Sequence, residues 1–218
     1  MVDKKISSAV VKRLPRYYRY LSELLEKGID RISSQELSRK MNVTASQIRQ
    51  DFNNFGGFGQ QGYGYHVSFL HDEIGKILGL EHNYNVIIIG AGNLGQALAN
   101  YGGFAARGFR ISGIFDTDPD VVGKRIHDIE VMSVHVLEDF VKTNEVDIAA
   151  LTLPKDQASR IACRLAELSV EAFWNFAPTD LNLPSNTVVE NVHLEESLMR
   201  LSYKLSEKQS TREKEEKG

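Results

Sequence analysis

Residues 84–95 read Tyr84-Asn85-Val86-Ile87-Ile88-Ile89-Gly90-Ala91-Gly92-Asn93-Leu94-Gly95, an apolar run leading straight into three glycines spaced G-x-G-x-x-G. A β-branched run with no polar alternation suits a parallel strand buried on both faces. The helical pattern of Gln96-Ala97-Leu98-Ala99-Asn100-Tyr101 follows it. Strand, glycine turn and helix in that order are the context in which this spacing has a physical meaning.

In that context Gly90 permits the tight strand-to-helix turn, Gly92 lets the backbone approach a pyrophosphate, and Gly95 allows close helix–strand packing. The helix N-terminus would face the phosphates, with Ala91, Asn93 and Leu94 completing the cradle. A second apolar run, Phe109 to Phe115, ends at Asp116, 21 positions beyond Gly95. An acidic residue about 20 residues on is what a dinucleotide fold requires for the adenosine ribose hydroxyls. The carboxylate would also repel a 2′-phosphate, which favours NAD(H) over NADP(H).

The chain has 218 residues, and about 80 of them precede this strand, enough for a small separate domain. Nothing resembles a secretory signal or a membrane span, so a soluble, cytoplasmic protein is expected. The single cysteine, Cys163, lies in a helical pattern with Ile161, Leu165 and Leu168 and is read as a buried, inert thiol. Charge is unevenly spread. Residues 1–52 hold 11 Lys/Arg against 6 Asp/Glu, net +5, and the remainder 15 against 23, net −8. A basic N-terminal part on an acidic body points to a polyanionic partner.

The first helical run extends from about Ser7 to Lys27, with Val10, Leu14, Tyr17, Leu21, Leu24 and Leu25 on one stripe and Pro15 positioned to kink or split it. Gly28 ends it. Ser33 or Ser34 can cap a short helix carrying Leu37, followed by the turn Met41-Asn42-Val43 and a second cap at Thr44. The next helix, Ala45 to about Asn54, would bury Ile48 and Phe52. Two short helices joined by a three- or four-residue turn describe a helix-turn-helix. Thr44, Ser46, Gln47, Arg49 and Gln50 then face double-stranded DNA, being residue types that bond base edges or phosphates; an ordinary solvated face is the competing reading. Asp51 is given a structural role, bonding a local backbone or pairing with a neighbouring base.

The stretch Phe55 to Tyr65 is rich in glycine and aromatics. A Gly-bearing hairpin after a helix-turn-helix makes a winged helix, with Gly57, Phe58, Gly59 and Tyr63 at the DNA; four aromatics argue against a plain flexible linker. Val67, Leu70, Ile74, Ile77 and Leu78 mark a helix ending near Gly79. The winged-helix domain is set at residues 1–80 and a Rossmann domain at 84–192.

Beyond Asp116 the pattern alternates. Val136 to Asn144 reads as a helix, Val146 to Leu153 as a strand, Asp156 to Leu168 as a helix, Val170 to Phe176 as a strand, and Thr187 to Val192 as a last strand. This is an α/β doubly wound parallel sheet, with ligand at the carboxyl ends of its strands. Asp116, Thr152-Leu153-Pro154 and Asn175-Phe176 fall on that edge. Thr152 and Asn175 could bond the nicotinamide ribose or carboxamide, or merely satisfy local backbone; Phe176 and Pro178 offer apolar surface. Leu194, Leu198, Leu201 and Leu205 step by four, three and four on a C-terminal helix at 193–206 that must be buried against something. Residues 207–218 are expected to form a disordered tail.

A dehydrogenase would need a general acid or base near the nicotinamide. The six histidines, at 66, 71, 82, 127, 135 and 193, show no metal spacing, and no substrate-sized domain follows the glycines. The cofactor therefore reads as signal rather than reagent, and the chain as no enzyme. A small NAD-dependent oxidoreductase with an accessory domain, and a DNA-binding subunit with a ligand-free Rossmann domain, are the alternatives.

Winged helix, dinucleotide fingerprint and terminal leucine stripe together resemble the Rex family of bacterial redox-sensing transcriptional repressors. The resemblance runs from about Lys5 to Leu205 and is carried by Arg49-Gln50-Asp51-Phe52 with Phe55-Gly56, Gly64-Tyr65, Gly90 to Gly95, Phe115-Asp116, Asn175-Phe176-Ala177-Pro178 and Val189-Glu190-Asn191-Val192. It implies a homodimer whose C-terminal helix is exchanged between subunits. It also implies an inverted-repeat operator, and NADH and NAD⁺ as competing effectors, with NADH releasing the DNA. Arg19, Tyr101 and His193 match a state-dependent set of Arg, Tyr and Asp. His193 departs from the acidic residue, and Leu194 stands where relatives often carry Phe.

Overall fold

A computed structural model describes residues 6–53, 59–60 and 64–215. The chain divides into two units, Met1–His82 and Asn83–Gly218. In the first, Pro15 splits the opening helical run into α1 (Ser8–Val11) and α2 (Leu14–Glu26), sitting in the first turn of α2 where its missing N–H costs nothing. The buried stripe is Val10, Leu14, Tyr17, Leu21 and Leu24. Leu25 does not join it. One helical position round from Leu24, it is exposed.

After β1 (Arg31–Ile32) come α3 (Ser34–Met41) and α4 (Ala45–Asn53). Their boundaries are set by local chemistry. Ser33 caps α3 reciprocally: its Oγ accepts from the Glu36 N–H at 3.2 Å, while the Glu36 carboxylate accepts from the Ser33 N–H at 2.8 Å. Asn42 ends α3 in the left-handed region, φ 52°, and Thr44 Oγ1 accepts from the Gln47 N–H at 3.1 Å to start α4. Leu37, Met41, Ile48 and Phe52 then bury against α2 and α5 (Val67–Ile77), closing one core with Tyr17, Leu70 and Ile74. Strands β2 (Gly59–Gln60) and β3 (Gly64–His66) make a three-stranded antiparallel sheet with β1, in the order β1-β3-β2. A helix-turn-helix followed by such a sheet is a winged helix. Gly57, Phe58 and Tyr63 lie outside the described residues.

The second unit is built on a seven-stranded sheet of order β10-β9-β8-β4-β5-β7-β6. Its elements are β4 (Tyr84–Ile89), α6 (Asn93–Ala99), β5 (Phe109–Asp116), β6 (Arg125–Ile126), β7 (Ile129–Ser133), α7 (Leu137–Thr143), β8 (Ile148–Leu151), α8 (Lys155–Glu167), β9 (Ala172–Asn175), β10 (Val188–Asn191) and α9 (Leu194–Glu215). All neighbours pair in parallel except β6 with β7. Helices α7 and α8 pack on one face around Ile87, Ile89, Phe115 and Phe173, and α6 on the other around Val86, Ile88 and Ile114. The order reverses between β4 and β8, so a crevice opens at their carboxyl ends.

Three further sequence expectations change. The hairpin β6–β7 is additional, its turn made by His127 in the left-handed region, φ 52°. Cys163 is exposed, not buried: on α8 the core side is taken by Ala158, Ile161, Ala162 and Leu165. Helix α9 continues to Glu215, past the start of the disordered tail expected from 207. Among the described residues no helix is long and apolar enough to cross a membrane.

Candidate dinucleotide and nucleic-acid sites

The glycine turn leaves β4 at Gly90, whose φ of +102° excludes a side chain; a Cβ there would meet the Thr152 carbonyl at 2.7 Å. A Cβ on Gly95 would collide with the Gly90 carbonyl oxygen. Gly92 differs. Nothing lies within 4 Å of where its Cβ would be, so the backbone there borders open space. The loop is braced from three sides. Thr152 Oγ1 has the Gly90 and Ile89 carbonyls at 2.7 and 3.0 Å as acceptors for its one proton, Gln96 Nε2 donates to the Ala91 carbonyl at 2.7 Å, and the Ala91 N–H donates to Asp116 Oδ2 at 2.5 Å.

Asp116 Oδ1 also accepts from the Asp118 N–H at 2.9 Å. Each carboxylate oxygen keeps a lone pair for a ribose hydroxyl. Beside it opens a cavity of about 340 Å³ lined by Thr117, Val134, His135, Leu137, Arg160 and Ile161 among others. Sequence reasoning missed this wall because it follows β7, which was not recognised; with β7 in place, Val134 and His135 fall on the carboxyl edge where ligands bind. Leu153 joins the core on the α7/α8 face, and Pro154 precedes α8.

Asn175 lies on the expected edge but is fully buried. Its Nδ2 donates to the Thr179 carbonyl at 2.7 Å and to Asn191 Oδ1 at 2.8 Å, and its Oδ1 accepts from the Ala177 N–H at 3.1 Å. Both amide hydrogens are committed within the chain. Thr152 and Asn175 thus do structural work at the site, holding the loop and the segment after β9. The Phe176 ring stands edge-on to Trp174 at 4.6 Å. Tyr101 is exposed, its ring against Gly103 and edge-on to Phe104 at 4.8 Å. His193 Nε2 lies 3.6 Å from Asp180 Oδ1. Arg19 is an exposed residue of α2, in the first unit.

In the first unit, Thr44, Ser46, Arg49 and Gln50 are exposed at the start and along the outer face of α4. Arg49 Nη1 donates to Ser34 Oγ at 3.0 Å, tying α4 to α3. Gln47 is half-buried and gives one amide hydrogen to Asp51 Oδ1 at 2.9 Å. Asp51 is the fixed point. Fully buried, it accepts from Arg13 Nε and Nη2 at 2.7 Å each and from the Tyr17 hydroxyl at 2.9 Å. Burial pushes its carboxyl up, and the bonds from Arg13, Gln47 and Tyr17 outweigh that, leaving it below its ordinary value of 3.8. Burial, then the bond to Asp51, raises Tyr17.

Residues 5–53 match the family of putative DNA-binding protein N-termini, and residues 81–179 the CoA-binding domain family. The redox-sensing transcriptional repressor Rex of Thermoanaerobacter pseudethanolicus is 57% identical over 205 residues, covering 94% of this chain and 92% of that protein. The chain belongs to the Rex family. Among solved Rex-family repressors, RSP in complex with β-NAD⁺ and operator DNA superposes with a TM-score of 0.88 at 55% identity, covering 97% of both chains. RSP in complex with β-NADH gives 0.88 at 52% identity, covering 97% of this chain and 99% of that one. The Rex resemblance drawn from the motifs is therefore shown by both comparisons.

Proposed function

We propose that this Rex-family chain acts in the cytoplasm as a homodimeric repressor that binds an inverted-repeat operator and releases it when NADH occupies the Rossmann unit. The observation that carries this is the glycine turn, held to Asp116 through the Ala91 N–H and open at Gly92, in a chain whose other unit is a winged helix. The residues fit a dinucleotide. Gly92 leaves room for a pyrophosphate, Asp116 has lone pairs for the adenosine ribose, the cavity beside Thr117 receives the adenine, and Phe176 and Pro178 flank the nicotinamide end. NADH and NAD⁺ differ in the charge of that ring, so an apolar surrounding favours the uncharged NADH ring.

In α9, Leu194, Leu198, Leu201 and Leu205 are each more than half exposed on the single chain, as are Met199 and Tyr203. Such a stripe is covered by a second copy, which supports the helix exchange between subunits. Arg49, Ser46 and Gln50 face the major groove, and strands β2 and β3 the adjacent backbone. If NADH binds better to the dimer in which the recognition helices are misplaced for the two half-sites, it weakens DNA binding by the same factor that DNA weakens NADH binding. The test is fluorescence anisotropy on a duplex selected for this protein from a random DNA pool, with NAD⁺ and NADH titrated separately. The expected result is release by NADH and not by NAD⁺; binding that ignores both nucleotides would overturn the reading.

A further inference from the structure

The segment after β9 and the root of α9 are joined by side chains that loop positioning alone does not require. The buried Asn175 uses both amide hydrogens and its carbonyl oxygen to hold residues 177–179 and to grip Asn191 Oδ1. Asn191 is its register partner at the end of β10, and the Val192 N–H donates to the Asn175 carbonyl at 2.8 Å. Asn191 Nδ2 in turn donates to Asp180 Oδ1 at 3.2 Å, and the same oxygen faces His193 Nε2 at 3.6 Å. Leu194, the next residue, begins α9. The chain of contacts therefore runs from Ala177 and Thr179, the neighbours of Phe176 and Pro178, through Asn175 to Asn191, and from Asn191 through Asp180 to His193 at the root of the helix.

Resting on the reading that the nicotinamide lies against this segment, we propose that Asn191 and Asp180 are positioning residues that carry occupancy of the site to the root of α9. The Asn175 amide is locked, so residues 176–180 do not move freely. A ring seated on Phe176 and Pro178 would therefore press on a segment already tied to Asn191, and the strain would be felt at its exposed end, Asp180. Asp180 Oδ1 accepts from Asn191 Nδ2 and lies 3.6 Å from His193 Nε2, so a shift of Asp180 would bear on the two residues before α9. Neither residue is among those placed against the cofactor. Their loss uncouples the two ligands without removing the affinity for either.

The experiment compares the full-length dimer with Asp180→Ala, Asp180→Asn and Asn191→Ala, using calorimetry for NADH alone and anisotropy of the selected duplex for its release. Asp180 has an 88% exposed side chain, so its replacement leaves the fold intact. The coupling ratio, NADH affinity without DNA over that with DNA, is expected to fall about fivefold or more in both alanine variants, with each separate affinity within about twofold of the parent. Asp180→Asn keeps an acceptor for Asn191 and should retain the parental ratio. Alanine variants with an unchanged ratio, or ones that lose NADH affinity itself, would overturn the proposal. A parent protein whose DNA binding ignores NADH would overturn the sensing function itself and this inference with it.

Discussion

A buried carboxylate survives only where donors replace its water, and Asp51 has four of them: two from Arg13 and one each from Tyr17 and Gln47. Replacing it by Asn removes the charge that Arg13 was placed to meet. Because Arg13 is partly exposed, the loss at neutral pH is expected to be about 3 kcal/mol, at the low end for a broken buried pair. The folded carboxyl lies below its ordinary 3.8, so this stabilisation is complete above that value and is lost as pH falls through the folded pKa. Urea denaturation of Asp51→Asn and the parent should show a gap that is full at neutral pH and narrows below 3.8. Asp116 is the corresponding residue of the second unit. Asp116→Ser should weaken NADH by about 1.5–3 kcal/mol, the worth of a hydrogen bond to a charged group, and erase the preference over NADPH, both readable by calorimetry. A parent that binds NADPH more tightly than NADH would contradict the role given to Asp116.

At the level of elements, the strand–turn–helix β4–α6 separates two kinds of glycine. Gly95 exists for packing, since a Cβ there meets the backbone of Gly90; Gly95→Ala should cost about 1–3 kcal/mol of stability in thermal or urea unfolding. Gly92 has a negative φ of −69° and open space at its Cβ, so Gly92→Val should cost only about 1 kcal/mol, the loss of a good N-cap residue, while abolishing NADH binding. Equal destabilisation by the two substitutions would show that the loop is shaped by packing alone. The helix-turn-helix is similarly local. The Ser33–Glu36 capping box, Asn42 in the left-handed region and the Thr44 cap are readable within a few residues of where they act, which is why both helix starts were anticipated.

For the whole molecule, the charge is divided so that a basic winged helix precedes an acidic Rossmann unit, and its operator affinity should fall steeply with salt. The leucine stripe of α9 is long enough, in a 22-residue helix, to bind a second copy. Deleting α9 should give monomeric or aggregated protein by analytical sedimentation, and a normal dimer would refute the exchange. If the coupling is a hundredfold, NADH must favour the released arrangement by about 2.8 kcal/mol, within reach of a few differential contacts.

The amino-acid sequence by itself determined what depends on near neighbours. These are the β4 strand and glycine turn, the carboxylate at the end of β5, the caps and turn of the helix-turn-helix, and the period of the α9 stripe. Each is written in a span of residues that interact directly. What only the tertiary structure decided involves partners far apart in the chain. Arg13 reaches Asp51 across 38 positions and Asn191 reaches Asn175 across 16, and no local pattern signals either. For the same reason Asn175 and Thr152 could be placed at the carboxyl edge of the sheet, while the choice between bonding a ligand and bracing the backbone stayed open until their partners were in place. A side chain's hydrogen bonds are spent on whatever the fold brings beside it, and that is settled only when the strands are in register.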